Sequence, residues 1–269
     1  MLDAPYVSVK LLFAILAFIT GLCVGSFLNV CIYRIPREIS IIFPPSECPN
    51  CRKKIKVTDL IPVISYMILR GKCRKCKNPI SILYPVVELI TGLLWLLAFL
   101  KFGFTFETVA AIFLITLLIP VAFIDLEFMI IPNGLVITGL IGGTGVFLFH
   151  ALYRPVIFFD LPLWYAPLIG MISASGILFI FALVTYFIYK NDGGMGMGDV
   201  KIFLPIGLIL GARLALLSLF ISFMIAGVLS AILLILKKLN RKSAIPFGPF
   251  IVIATILIIF TGPDLMFIY

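Results

Sequence analysis

The stretch from residue 108 to residue 124, TVAAIFLITLLIPVAFI, contains no charged side chain and is followed directly by Asp125. In the whole chain, 62% of the residues are hydrophobic and only 12% are charged. Several uncharged stretches of this kind are long enough for an α-helix to cross a hydrocarbon core of about 30 Å. The sequence therefore predicts an all-α polytopic membrane protein.

Eight apolar segments are expected to form the transmembrane helices. Seven of them are long, and one of these contains Glu88 as its only charged residue. The eighth covers 11 residues, 202–212, and spans the membrane only if its helix begins earlier. The eight segments are 11–33, 78–100, 108–124, 128–153, 161–189, 202–212, 214–236 and 243–263.

Basic residues are distributed unevenly among the loops between these segments. If each segment crosses once, the loops on one side hold 17 Lys and Arg residues, 11 of them within 34–77, and the other side holds four. The side richer in basic residues is expected to be cytoplasmic, which places the N-terminus outside and makes the first segment an uncleaved anchor. This topology, together with attraction to anionic lipid, accounts for the net charge of +9 better than nucleic-acid binding does.

Two aspartates meet the same membrane face in this topology. Asp125 ends one segment on the cytoplasmic side, and Asp199, which follows Gly196-Met197-Gly198, begins another from that side. Acids at membrane depth are costly and usually functional, and two carboxylates held close together share a proton. We therefore expect Asp125 and Asp199 to form a catalytic dyad, with the roles of acid and base left open. Taken alone, Asp199 could equally cap the next helix.

The long basic loop contains Cys48-Pro-Asn-Cys51 and Cys73-Arg-Lys-Cys76, two Cys-x-x-Cys motifs. Four thiolates at this spacing can form a tetrahedral zinc site, and four protein ligands leave no open position for a catalytic water. Disulfides are the alternative, but a reducing cytoplasm disfavours them. We expect a structural zinc ion in this loop, residues 34–80, which is called the cysteine loop below.

The ordered series of motifs resembles the bacterial type IV prepilin peptidases. The matching motifs, in chain order, are Gly25-Ser26-Phe27-Leu28-Asn29-Val30, Tyr33-Arg34-Ile35-Pro36, the paired Cys-x-x-Cys, Tyr84-Pro85-Val86-Val87-Glu88, Ile124-Asp125 with Ile131-Pro132-Asn133, and Gly194-Met195-Gly196-Met197-Gly198-Asp199-Val200-Lys201. The resemblance implies a bacterial inner-membrane enzyme of the Gly-x-Gly-Asp class of intramembrane aspartyl proteases. Such an enzyme removes the short basic leader from type IV prepilins or pseudopilins at the cytoplasmic membrane face.

The resemblance also implies that the new N-terminal residue is methylated with S-adenosylmethionine as the methyl donor. Nothing in the sequence resembles a glycine-rich Rossmann fingerprint, so this expectation depends on the resemblance alone. Residues 1–105, with the first helix, the cysteine loop and the second helix, are assigned to methyl transfer, and residues 106–269 to an aspartyl peptidase bundle. Glu88, Asn29 and Arg34 are the expected cofactor contacts. The candidate partners of Glu88 are Asn29, Arg34 or a bound ligand amine, and a structural hydrogen bond is an equal alternative.

Two other interpretations of the chain remain open. An ion- or proton-coupled transporter would also carry intramembrane acids, and a non-catalytic pilus or secretion assembly factor could use the zinc loop for docking. The single histidine, His150, argues against a His-based triad or a His-ligated metalloprotease. The motif Pro246-Phe247-Gly248-Pro249 resembles a family feature near the last segment and is expected to belong to the scaffold.

Overall fold

The structure is a computed structural model that describes residues 4–153, 164–189, 196–237 and 245–266. Across these residues it contains α-helices, short 3₁₀ turns and isolated bridges, without a β-strand. Within these described ranges, six helices are long and apolar enough to cross a membrane, and a shorter apolar helix covers Gly248–Gly262. The predicted class, an all-α polytopic membrane protein, is confirmed. The helices are α1 (Ala4–Arg34), α2 (Ile64–Ile68), α3 (Leu83–Phe102), α4 (Phe106–Phe128), α5 (Asn133–Tyr153), α6 (Ala166–Tyr189), α7 (Met197–Ile235) and α8 (Gly248–Met266).

Helix α7 accounts for two of the predicted segments. It has 39 residues, which at about 1.5 Å per residue would give a straight rod far longer than a bilayer core. Gly211 interrupts it with φ 78° and ψ 174°, a conformation outside the helical region that glycine adopts without steric cost. The predicted short segment 202–212 begins earlier, at Met197, and the count of about eight segments is roughly matched.

The chain forms two compact units, Met1–Thr108 and Val109–Tyr269. In the first unit, α1 and α3 pack along what we call the α1–α3 seam. A Cβ atom built at Gly21 would lie 2.9 Å from the Gly92 Cα, and one at Gly25 would lie 2.7 Å from the Glu88 Cα. The residue numbers of both pairs add to 113, so the helices run antiparallel. Small residues permit this approach of the two backbones, which favours helix association in lipid.

In the second unit, the first half of α7 occupies the centre. Ile202, Phe203, Ile206 and Ile209 have no exposed surface. Helix α5 packs closely against this part of α7, since a Cβ atom built at Gly139 of α5 would lie 2.8 Å from the Pro205 side chain. The second half of α7 is joined to α8 by a buried hydrogen bond of 2.8 Å between the Ser218 and Thr255 hydroxyls. The residues that begin α7 are thus anchored in a tightly packed bundle.

Candidate active site and metal centre

Asp125 lies in the last turn of α4 and is only 5% exposed. Its Oδ2 atom accepts a hydrogen bond of 2.8 Å from the Gly248 N–H, and Gly248 is the first residue of α8. The N–H groups in the first turn of a helix have no intrahelical acceptor, and the helix dipole there favours a negative charge. The start of α8 therefore both orients the Asp125 side chain and suits its carboxylate form.

Asp199 lies in the first turn of α7 and is 8% exposed. Its backbone N–H donates to the Gly196 carbonyl at 3.1 Å, and a Cβ atom at Gly196 would lie 3.3 Å from Asp199 Oδ2. The Asp199 carboxyl interacts electrostatically with Asp125. The structure thus brings the two predicted aspartates into one site. Residues 190–195, with the earlier glycines of the motif, lie outside the described residues.

A second contact joins the start of α7 to the start of α5. Lys201 Nζ donates to Asn133 Oδ1 at 3.0 Å. A Cβ atom built at Gly198 would lie 3.0 Å from the Ile131 Cβ. The Ile131-Pro-Asn motif and the Gly-x-Gly-Asp motif, 68 residues apart at Asn133 and Lys201, are therefore neighbours in space. This contact fixes the helix start that carries Asp199.

Gly248 is the site residue that sequence reasoning missed, because residues 246–249 were assigned to the scaffold. A Cβ atom at this position would lie 2.7 Å from Asp125 Oδ2, so the site has no room for a larger residue. A backbone N–H has no side-chain signature by which its role could be recognised. The available signal was the Pro-Phe-Gly-Pro motif itself, placed at the start of an apolar helix.

The four cysteines of the cysteine loop converge. Their Sγ atoms all lie within 4.8 Å of one another, and the Sγ atoms of Cys48 and Cys76 are 3.8 Å apart. None of these cysteines forms a disulfide. A tetrahedral zinc site with Zn–S bonds of about 2.3 Å would place its sulfurs about 3.8 Å apart. The cluster Cys48, Cys51, Cys73 and Cys76 could hold a metal ion and fits a four-thiolate zinc site.

The two Cys-x-x-Cys motifs are held by the same backbone contacts. In the first, the Cys48 N–H donates to the Lys53 carbonyl, and the Arg52 N–H donates to the Cys48 carbonyl. The second motif, 25 positions later, repeats both bonds. Its Cys73 N–H donates to the Asn78 carbonyl, and its Lys77 N–H donates to the Cys73 carbonyl. Arg52 and its counterpart Lys77 both have positive φ, 53° and 62°. Each motif is therefore a copy of one local structure that presents two sulfurs.

The thiols of the second motif differ in their affinity for a proton. Backbone N–H groups of Cys76 and Lys75 lower the pKa of Cys73 to about 6. The Asn78 N–H lowers the pKa of Cys76, but desolvation and the neighbouring thiols outweigh it and raise that pKa to about 11. These sulfurs are closely spaced, and one of them is readily deprotonated. A soft divalent cation binds such a group of sulfurs and stabilises them as thiolates.

The three expected cofactor contacts, Asn29, Arg34 and Glu88, are all buried, and each forms hydrogen bonds within the first unit. Asn29 Nδ2 donates to the Tyr84 carbonyl at 3.0 Å, and this pair continues the α1–α3 seam with residue numbers that again add to 113. The Arg34 guanidinium donates to the carbonyls of Ser40 and Pro44, at 2.9 and 2.7 Å, and closes the turn after α1.

Glu88 accepts the Val63 N–H at 2.7 Å. Asn29 and Arg34, its expected partners, instead bind backbone carbonyls. That Asn29, Arg34 and Glu88 contact S-adenosylmethionine stays a prediction.

The fold and the site define a polytopic helical membrane protein with a pair of buried aspartates at helix ends and a separate four-cysteine cluster. A family model described as the type IV leader peptidase family matches residues 112–231, and one described as the bacterial peptidase A24 N-terminal domain matches residues 19–102. The chain belongs to the type IV leader peptidase family.

Several relatives align over almost the whole chain, and each is named "Prepilin leader peptidase/N-methyltransferase". The protein of Bacillus subtilis (strain 168) is 36% identical over 94% of this chain and 96% of its own length. That of Stutzerimonas stutzeri is 33% identical over 91% of this chain and 89% of its own. That of Pseudomonas aeruginosa is 31% identical over 91% and 89%. No solved structure matches the chain.

Proposed function

We propose that this chain is an intramembrane aspartic endopeptidase that removes the short basic leader from type IV prepilins or pseudopilins. We propose further that it methylates the new N-terminal residue. The observation that carries the peptidase assignment is the pair Asp125 and Asp199, both buried at the ends of two helices and close enough to interact electrostatically. Membership of the family and the names of the relatives favour this function over ion transport or a non-catalytic assembly role.

The two aspartates divide the work of peptide hydrolysis in this proposal. Asp125 acts as the base, because the Gly248 N–H stabilises a carboxylate there. It takes a proton from water as the water oxygen attacks the scissile carbonyl carbon, while Asp199 donates its proton to the carbonyl oxygen. When the C–N bond breaks, the proton taken by Asp125 passes to the leaving amine, and Asp199 recovers its own from the hydroxyl.

Methyl transfer is assigned to residues 1–105, with a structural zinc ion held by Cys48, Cys51, Cys73 and Cys76. S-adenosylmethionine supplies a methyl group activated by its sulfonium, and the acceptor is the free amine that cleavage creates. Asn29 and Arg34 are the proposed cofactor contacts of this region. The four sulfurs and their spacing support the zinc assignment, since a Cys₄ site closes the cysteine loop without offering an open coordination position.

The chain is a multi-pass membrane protein. We place it in the bacterial inner membrane with the N-terminus outside and both sites on the cytoplasmic side. The excess of basic residues in the cysteine loop supports this orientation. A leader that is itself basic would begin on the same side, where the membrane potential retains positive charge.

The test is mass spectrometry of a prepilin-like substrate incubated with the purified protein in lipid nanodiscs and S-adenosylmethionine. The parent should release the leader and add one methyl group to the shortened chain. Asp125→Asn and Asp199→Asn should each lower the cleavage rate by about 10³-fold or more, because an amide cannot transfer the proton. Glu127→Gln, an exposed acid on the same helix as Asp125, is the matched control and should cleave normally. Cleavage near the parent rate in either aspartate variant would refute the dyad.

A further inference from the structure

Glu88 connects two parts of the first unit that are distant in sequence. Its Cα lies in the α1–α3 seam, against Gly25, and the residue is only 7% exposed. Oε2 of its carboxyl group accepts the Val63 N–H at 2.7 Å. Val63 belongs to the cysteine loop and immediately precedes α2. One side chain thus joins the transmembrane helices to the middle of the loop, between the two cysteine motifs.

The residue that donates to the Glu88 carboxyl group has a strained backbone. Val63 has φ 60° and ψ −50°, which is a rare conformation for a β-branched side chain. Such a conformation persists only where the surrounding structure determines it. The hydrogen bond from Val63 to a buried carboxylate is a contact of this kind. Losing the acceptor would leave a strained backbone with one fewer restraint.

Glu88 is itself held from α1. The backbone of Gly25 lies so close that an added Cβ would be 2.7 Å from the Glu88 Cα and 3.0 Å from Thr91 Oγ1. Arg34, one of the candidate partners of Glu88, donates instead to two backbone carbonyls. The loop amide could also donate to a neutral acceptor.

We propose that Glu88 is a positioning residue, which fixes the cysteine loop on the α1–α3 seam through the Val63 amide and influences methyl transfer through the loop. This inference deepens the proposed function, and it assigns Glu88 a role other than direct contact with the methyl donor. A carboxamide oxygen can accept the same bond, so the role requires an acceptor at this position and does not require a charge.

The experiment compares Glu88→Gln and Glu88→Ala with the parent in nanodiscs. Hydrogen exchange followed by mass spectrometry reports on the peptide that covers 61–66, and steady-state kinetics with S-adenosylmethionine and a pre-cleaved substrate report on methyl transfer. The glutamine variant should keep the parent exchange rate and methyl transfer within about 3-fold. The alanine variant should exchange faster and lose about 10- to 100-fold in kcat, because the loop is misplaced, with little change in KM for S-adenosylmethionine. Prepilin cleavage should persist in both.

The opposite pattern would overturn the proposal. A ligand of the sulfonium or the amino group needs the negative charge, so glutamine and alanine would both raise KM for S-adenosylmethionine and leave the exchange rate unchanged. Parent-like exchange in the alanine variant would also refute the role. If Glu88→Ala does not insert stably, Glu88→Asp, whose shorter side chain moves the acceptor away from the Val63 N–H, should give a smaller increase in exchange in the same peptide, and no increase would refute the role. The hydrogen-exchange measurement does not depend on enzymatic activity. If the parent protein transferred no methyl group, that result would contradict the proposed function but not the role of Glu88.

Discussion

The aspartate site and the cysteine loop hold their functional side chains in place in opposite ways. Asp125 and Asp199 sit on long helices, and the α7 helix that carries Asp199 is packed by fully buried apolar side chains. The cysteine loop lacks such a core, since Ile42, Phe43 and Val57 are 72%, 73% and 83% exposed. A segment of this size cannot bury enough apolar surface to fold alone. The helical bundle therefore fixes the geometry of the aspartate site, whereas the cysteine loop depends on a few polar contacts and four sulfurs.

Replacing all four cluster cysteines by serine should have the largest effect on this comparison. Structural zinc sites supply folding free energy directly, commonly about 10 kcal/mol or more. We expect the variant to lose its metal, measured by inductively coupled plasma mass spectrometry, and to lose methyl transfer by more than about 100-fold. Prepilin cleavage should change by no more than a few-fold, because the aspartates belong to the other unit.

Cys23→Ser forms the control, since Cys23 is exposed and lies in α1, 11 residues before the cysteine loop begins. This control should keep both the metal and the methyl transfer. Normal metal content in the four-cysteine variant would eliminate the zinc assignment. Loss of cleavage together with methyl transfer would instead abolish the contrast between the two regions.

Gly248→Ala tests the other side of the comparison and should have the second largest effect. The added methyl would lie 2.7 Å from Asp125 Oδ2, so the carboxylate must move away from the Gly248 N–H. A displacement of this order at a catalytic group can lower a rate by about 100-fold. Cleavage kinetics should show this loss in kcat while methyl transfer to a pre-cleaved substrate is retained.

The matched control for that substitution is Gly227→Ala in α7, where an added Cβ meets nothing within 4 Å. It should cleave at the parent rate. Equal activity of the two alanine variants would mean that the Gly248 contact with Asp125 contributes nothing to catalysis, and it would remove the argument for Asp125 as the base.

Asp59→Asn should have the smallest effect. Arg74 makes a bidentate contact with Asp59 in the cysteine loop, with a shortest distance of 2.6 Å, and its hydrogen bonds lower the pKa of Asp59. Because that pKa is lowered, the stabilisation is present above the unfolded value of about 3.9 and is lost only as the pH falls through the folded value. It should therefore be constant between about pH 6 and pH 8.

The Arg74 side chain is 47% exposed, so solvent and salt screen the pair. The rate at which a chelator removes zinc from Asp59→Asn should exceed the parent rate by at most about 2-fold at low salt. The two rates should converge at about 1 M salt, where screening is nearly complete. A large, salt-independent increase would show that the loop relies on this ion pair more than its exposure implies.

Sequence patterns predicted the elements whose signal lies in side chains. Uncharged stretches located the membrane segments, because burying charge in lipid is costly. The motif spacing singled out the four cysteines, whose sulfurs do converge, and the two aspartates, which do interact. Their roles in metal binding and catalysis stay predictions.

Backbone contacts were beyond prediction from the sequence. The donors to Asp125 and Glu88 are the amides of Gly248 and Val63, which lie 123 and 25 residues away along the chain. The sequence placed a segment boundary at residue 213, next to the break at Gly211, but it did not predict that the break is a single glycine within one continuing helix. A pairing between a side chain and a remote amide follows only from the tertiary fold.

The duplicated cysteine motifs have a consequence for how the cysteine loop would survive damage. Each motif closes on itself through its own backbone bonds and presents half of the sulfur ligands. A metal ion between them would act as a cross-link, joining residues 46–55 to residues 71–80. A chain cut by a protease in the intervening stretch would therefore keep its two ends together until a chelator removed the ion.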